Sequence, residues 1–302
     1  MKKFFKKIGQ TIGRYLLFLI SAIIKRLPYA VFRAFSIVFL FIGHCFLTHK
    51  RKLAMHNLRM AFGKEKSEAE LRKIFNDCFN IVSRGMIDLI YFLDRPRQVA
   101  EKVSITGKEH LDRALEGKKG VIILSAHFGI FILMYVRMVL EGYPTNVIMR
   151  RTHDAEFEEY ISNYRRELGI KNVYAFPQKQ CIQQSLKVLR NNELLFILLD
   201  QHYGSEGGIV VDFFGRAAST AAGPVVFSNR TGAPILPMFI QSHGDSHEIT
   251  IGPPIELIKE GEDRQRLVAN VQLLTKVIED QIRQYPHQWG GWMHQRWKAD
   301  RV

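Results

Sequence analysis

Apolar and polar positions along this chain fall into short stretches with strand and helix periods, and residues 118–133 show the pattern most sharply. Val121, Ile122, Ile123 and Leu124 form a continuous apolar run behind Gly120, as in a strand buried on both faces. Ser125-Ala126-His127-Phe128-Gly129 is the turn that follows, and from Ile130 to Leu140 the pattern lengthens to a helix closed by Gly142 and Pro144. The same reasoning predicts strands over 120–126, 146–150, 172–176, 194–199, 209–213, 233–240 and 247–251. Helices fit 130–140, 155–168, 181–189, 220–230 and 264–284. This alternation predicts an α/β fold, a mainly parallel mixed sheet covered by helices on both faces. Some later strands lack a long helix between them, which adds an antiparallel edge.

Ahead of residue 103 the pattern is helical. Leu53, Met55, Leu58, Met60 and Phe62 form one apolar set before Gly63. Ser67 and Glu70 have the spacing of a capping box, and the helix after them puts Leu71, Ile74, Phe75, Cys78, Phe79 and Val82 on one face. Arg95-Pro96 marks a loop. Residues 1–52 differ from the rest: Met1-Lys2-Lys3-Phe4-Phe5-Lys6-Lys7 is basic and amphipathic, 15–24 carries no charge, and 30–47 is largely apolar. The first run falls short of the roughly 20 apolar residues of a bilayer span, and the second is borderline. No small-residue cleavage site follows the first run, so a signal peptide is disfavoured. The basic clusters beside the apolar runs favour a membrane-docked helical hairpin, with or without one shallow span, over a buried helix pair. The expected division is 1–52 as N-terminal membrane-anchoring helices and 53–302 as the α/β domain, with 53–98 as its helical lead-in.

Composition narrows the partners. The chain has 302 residues, 47% of them hydrophobic, with 43 basic against 29 acidic residues and a net charge of +14. That length supports a large core, and that charge implies an anionic partner. Nucleic acid is excluded as the reading because the basic residues are spread, or concentrated near the apolar N-terminal helices, without a recognition motif. Cys45, Cys78 and Cys181 share no metal or redox spacing. The run from 204 to 208 is a flexible loop rather than a phosphate-binding fingerprint, and no Gly-x-Ser-x-Gly elbow exists. His243-Gly244-Asp245-Ser246-His247 reads as a hairpin turn rather than a metal cluster.

The candidate chemistry gathers at strand ends, where open α/β sheets hold their ligands. His127 falls at the end of a core strand and the start of a helix, whose dipole would keep the ring neutral and fit for general base work. The competing reading is a histidine that only satisfies backbone groups there. Arg150 follows one strand, Asp200-Gln201 another, and Phe213-Phe214-Gly215-Arg216 a third, with Ser219-Thr220 opening the next helix. Arg150 and Arg216 suit an anionic group such as a phosphate. Pro286 to Lys298 mixes Trp289, Trp292 and Trp297 with His294, Arg296 and Lys298, which suits a membrane interface, a docking face on the core or a packing helix.

Taken together, these residues resemble the bacterial lipid A biosynthesis acyltransferases, the lauroyl- or myristoyl-transferring group within the lysophospholipid acyltransferase fold. The likeness runs through Ala54-Met55-His56-Asn57-Leu58, Ser125-Ala126-His127-Phe128-Gly129, Asp200-Gln201-His202-Tyr203-Gly204, Phe213-Phe214-Gly215-Arg216 with Thr220, Thr231-Gly232-Ala233-Pro234, and Pro286-His287-Gln288-Trp289 leading to His294-Gln295-Arg296-Trp297-Lys298. It implies a membrane-bound acyltransferase that moves a fatty acyl chain from acyl carrier protein or coenzyme A to a hydroxyl of a lipid A-type glycolipid or other lysolipid. It also implies action at the cytoplasmic face of the bacterial inner membrane among anionic lipids, with no metal or resident cofactor. Residue by residue it makes His127 the base, Arg150, Phe214, Gly215, Arg216 and Thr220 substrate contacts, and the backbone near the turn an oxyanion donor.

The family pairs its histidine with an acid in a His-x4-Asp/Glu motif, but here that position is Ile132. Asp200 from a neighbouring strand is the first candidate replacement. Orientation of His127 by a carbonyl or water alone is the second. A non-catalytic lipid-binding protein on the same fold is the third.

Overall fold

The computed structural model describes residues 31, 48–92, 95–152, 154–204 and 208–297. The anchor expected over 1–52 lies almost wholly outside them, and helix α1 (Thr48–Phe62) runs across the expected boundary. Among the described residues no helix is long and apolar enough to cross a membrane.

Seven strands form the main sheet: β1 (Val103–Thr106), β2 (Val121–Ser125), β3 (Thr145–Met149), β4 (Ile170–Tyr174), β5 (Leu194–Leu198), β8 (Ile235–His243) and β9 (Ser246–Ile251), in the order β1-β9-β8-β2-β5-β3-β4. Every neighbouring pair is parallel except β8 with β9. The fold is therefore the mainly parallel α/β sheet expected, with β9 and β1 running against the other strands as the antiparallel edge. The turn from His243 to His247 is the β8–β9 hairpin, with Gly244 at φ 65°.

The central strands divide the core by the period of two that strand geometry imposes. Ile122 and Leu124 of β2 pack with Leu195 and Ile197 of β5 on one face. Val121 and Ile123 pack with Leu194 and Phe196 on the other. The first face is covered by α1, α7 (Gln178–Arg190), α8 (Gly223–Thr231) and α9 (Asp263–Gln284). The second is covered by α5 (Phe131–Leu140), with α3 (Pro96–Lys102) and α4 (Lys108–Glu116) beside it. The α6 helix (Ala155–Glu167) lies along β4.

Helix α2 (Glu68–Phe92) begins at the capping box: the Ser67 amide donates to Glu70 Oε2 at 2.8 Å, and the Glu70 amide donates back to Ser67 Oγ at 3.3 Å. Its 25 residues reach about 37 Å. Its first half joins the core on one face, and Leu89, Tyr91 and Phe92 join the other. It makes this crossing beside the His127 turn at Gly85, where a Cβ would come within 2.4 Å of Ile130 Cγ1.

Several expected elements shift. Thr220 does not open a helix: it ends β7 (Ala217–Thr220), and α8 begins only at Gly223, with Pro224 fixing its first turn. β6 (Ile209–Asp212) pairs with β7 in a separate two-stranded hairpin, not in the main sheet. β4 starts two residues early because Gly169, at φ 78°, ends α6 directly before it. The Pro286–Lys298 region forms two 3₁₀ turns, Pro286–Gln288 and Gly290–Met293, rather than a packing helix. Lys298 lies outside the described residues.

Candidate active site

β2 and β5 are parallel neighbours with Ser125 opposite Leu198, so the residues two positions beyond each strand end, His127 and Asp200, face one another. His127 Nδ1 lies 2.9 Å from Asp200 Oδ1, and the His127 amide donates to Oδ2 at 3.1 Å. Trp289 Nε1 donates to the same Oδ2 at 2.7 Å. The Asp200 side chain is wholly buried, while that of His127 is 24% exposed. A buried carboxylate with three N–H partners is held as the anion. Burial alone would raise its pKa, but the His127 charge and the hydrogen bonds outweigh it and hold Asp200 at about 2.

The helix start does not set the proton affinity of His127, in contrast to the expectation from its position. Burial pushes the imidazole pKa down, but the Asp200 charge and hydrogen bond more than offset it, so His127 lies above the usual histidine value. With Nδ1–H donating to Asp200, Nε2 is the accepting nitrogen. Gln201 Nε2 sits 3.2 Å from it.

The turn is clamped from the C-terminal side. Phe128 and Trp289 form an isolated antiparallel bridge. The Gly129 amide donates to Gln288 O at 2.8 Å, and the Gly290 amide to His127 O at 2.9 Å. With the Phe128 amide on Ala126 O, the amides of 127, 128 and 129 are all engaged. These three amides are therefore not free for an oxyanion, and at the start of α5 the Leu133 amide is also engaged, on Ile130 O at 2.9 Å.

Gly129 adopts φ 51°, and a Cβ there would sit 2.4 Å from Ile240 O. Gly129→Ala combines left-handed strain with a backbone clash, so it is expected to cost more than about 1 kcal/mol. A thermal melt checks this: Tm should fall measurably, and an unchanged Tm would contradict the close approach.

Trp289 and Trp292 are fully buried and Trp297 nearly so, which corrects the membrane-interface reading of this segment: it docks on the core. Trp289 stacks edge-to-face on Trp292, with ring centres 4.5 Å apart. Arg296, also buried, donates to Gln201 O at 2.9 Å, Ser219 O at 2.8 Å and Thr220 Oγ1 at 2.7 Å. Burial lowers its pKa to about 10 despite the opposing pull of Asp200. Trp289 and Arg296 were visible in the sequence only as aromatic and basic composition. Their contacts join residues 76 to 95 positions apart.

Two cavities open on His127. The larger, about 380 Å³, runs across the ends of β3 and β5, walled by Phe131, Ile148, Met149, Ile197 and Leu199, with Arg150 among its polar residues. The Arg150 guanidinium lies 5.6 Å over the Phe176 ring. The smaller, about 110 Å³, lies between α2 and the C-terminal turns. Ile132 lines both.

Of the expected substrate contacts, only Arg150 lines either cavity. Phe214, Gly215 and Arg216 lie in the β6–β7 hairpin and Thr220 at its end. Phe214 is buried at φ 57° against Phe62 and Trp292, its amide on Glu279 Oε2 at 2.7 Å. The Gly215 amide donates to Asp212 Oδ1 at 3.0 Å, within the turn. Arg216 Nε donates to Met60 O at 3.3 Å, tying the hairpin to α1. Thr220 accepts from Arg296. Among the described residues no three His, Cys, Asp or Glu side chains group closely enough to hold a metal.

The family model described as "Bacterial lipid A biosynthesis acyltransferase" matches residues 1–299. The "Lipid A biosynthesis lauroyltransferase" of Escherichia coli K12 is 23% identical over 84% of this chain and 81% of its own length. A "Lipid A biosynthesis acyltransferase" of Haemophilus influenzae is 23% identical over 75% of this chain and 71% of its own. A "Phosphatidylinositol mannoside acyltransferase" of Mycolicibacterium smegmatis is 22% identical over 67% and 65% respectively. With the family model matching nearly end to end, the chain belongs to the bacterial lipid A biosynthesis acyltransferase family.

Proposed function

We propose that the protein transfers a fatty acyl chain from a thioester, on acyl carrier protein or coenzyme A, to a hydroxyl of a lipid A-type glycolipid or other lysolipid. The carrying observation is the His127–Asp200 pair at 2.9 Å, with two largely apolar cavities opening on its histidine. The acceptor hydroxyl gives its proton to His127 Nε2 as its oxygen attacks the thioester carbonyl. Asp200 fixes the Nδ1–H tautomer and stabilises the imidazolium. The tetrahedral intermediate collapses, the C–S bond breaks, and the departing thiolate takes the proton from Nε2. An ester and a free thiol result. Arg150 holds the donor's phosphate, and the net charge of +14 favours an acidic carrier, a phosphorylated lipid and an anionic membrane, at the cytoplasmic face of the inner membrane.

A non-catalytic lipid-binding protein drew its support from Ile132. Asp200 supplies a carboxylate from the next strand, which weighs against that reading. The assay is release of free thiol from an acyl carrier protein thioester, with and without acceptor lipid. Acceptor-dependent release is expected; a thioester that stays intact with every lipid offered would favour the binding-protein reading.

The pH dependence follows from the pair. A base must be neutral, so kcat/KM should rise with pH through the His127 pKa, which Asp200 holds above the usual value near 6.5. The acid limb of the profile is therefore expected above pH 6.5. A limb below that value would contradict the coupling.

A further inference from the structure

The two cavities share a wall of His127, Phe131 and Ile132. A transfer between two substrates needs the acceptor hydroxyl at His127 Nε2 and the thioester carbonyl within reach of its oxygen, so two cavities that share His127 can divide the substrates. We propose that the smaller cavity receives the acceptor, and that His294 is the polar side chain binding it there. This rests on the acyl-transfer reading.

Volume separates the two roles. The larger cavity falls in the ordinary range for small-molecule sites of about 300–1,000 Å³, with room for an acyl chain. At about 110 Å³ the smaller admits only the hydroxyl-bearing segment of a lipid, with the remainder outside. Its chemistry is as specific. Val82, Leu89, Ile130 and Met293 make it apolar, and His127 and His294 are its two polar side chains. Ile132 forms wall where the family motif carries an acid, so His294 remains as the polar partner beside the base.

The geometry fits one shared oxygen. The two imidazole centres are 6.2 Å apart. A separation of that size can be spanned by one oxygen with two hydrogen bonds of about 2.9 Å. The His294 ring has no hydrogen-bond partner among the described residues, while its backbone is pinned: the amide donates to Gly291 O at 3.0 Å, and the carbonyl accepts from Asn57 Nδ2 at 2.9 Å. Burial, with the charges of His127 and Lys50, keeps its pKa below the ordinary value, so it offers one donor and one acceptor. Lys50 Nζ donates to Met293 O at 3.1 Å, which puts this cavity beside the start of α1.

The test uses the full chain with phosphatidylethanolamine vesicles containing lipid A that lacks its secondary acyl chains, and an acyl carrier protein thioester as donor. Initial rates give separate KM values for donor and acceptor. His294→Ala is expected to raise the acceptor KM roughly five- to tenfold, the loss of one hydrogen bond, and to move the donor KM less than twofold. His294→Gln, which keeps a donor and an acceptor, should restore much of the loss. Val82→Phe, filling the cavity from α2, should raise the acceptor KM independently of His294. A rise in donor KM, or an acceptor KM unmoved by both His294→Ala and Val82→Phe, overturns the assignment. A wild-type protein that leaves the thioester intact overturns the acyl-transfer reading and this assignment with it.

Discussion

Asp200→Asn is expected to lower acyl transfer by about 10³–10⁴-fold while the protein stays folded. The replacement is nearly isosteric, but an amide cannot present acceptors in both directions. Asp200 Oδ2 receives two N–H groups, from Trp289 and His127, and Oδ1 faces His127 Nδ1. The asparagine oxygen must stay on the side of the two donors, because turning it would set NH₂ against them and leave buried groups unsatisfied. Its NH₂ then faces Nδ1 and forces the lone pair there. The proton moves to Nε2, and the base loses the site that accepts from substrate. The anion that steadies the imidazolium goes at the same time. KM should change little, since Asp200 is wholly buried and touches no substrate. Steady-state kinetics on the purified variant check this, and a kcat within tenfold of wild type would show that the orienting group lies elsewhere.

His127→Ala is the second large effect, a loss of about 10²–10⁴-fold from removing a general base. The double variant His127→Ala/Asp200→Asn should be little worse than the worse single one. Residues that act as one unit are strongly non-additive, because the carboxylate has nothing to orient once the ring is gone. If the two losses multiplied instead, Asp200 would be acting apart from His127. The alanine also leaves Asp200 Oδ1 without its Nδ1–H partner in a buried site, so a melt must accompany the kinetics. A folded His127→Ala protein with wild-type kcat would remove the imidazole from the mechanism.

What the sequence made legible follows from how local the physics is. The β2 strand, its turn and α5 could be read because a continuous apolar run, a turn and a helical period sit next to one another. The Ser67–Glu70 box is local in the same way. β1 and α4 escaped because β1 is a four-residue edge strand that buries mainly Val103, and α4 buries only Leu111, too little periodicity to see. The β6 run looks like any core strand. Its partner is β7 rather than the main sheet, and Phe214, Gly215, Arg216 and Thr220 on that hairpin line neither cavity at His127.

The pairing of His127 with Asp200 was only partly legible. The residues stood out as polar groups at strand ends. That β5 lies beside β2 in register, with the two residues 73 positions apart in the chain, is a property of the sheet order. The position of Ile132 is informative in hindsight: the carboxylate comes across the sheet, and the helix position contributes apolar wall to both cavities. Trp289 was hardest to place. Tryptophan beside basic residues has the same composition at a membrane interface as at a buried turn, and only the fold directs its indole N–H to a carboxylate.

The most direct measurement is mass spectrometry of lipids after purified protein is incubated with acyl carrier protein thioesters and total membrane lipid, beside His127→Ala and Asp200→Asn. An acceptor lipid heavier by one acyl chain is expected with wild type, and a product diminished by orders of magnitude with each variant. A product of equal abundance in all three would contradict the His127–Asp200 mechanism, and no product with folded, lipid-bound wild type would contradict the acyltransferase assignment.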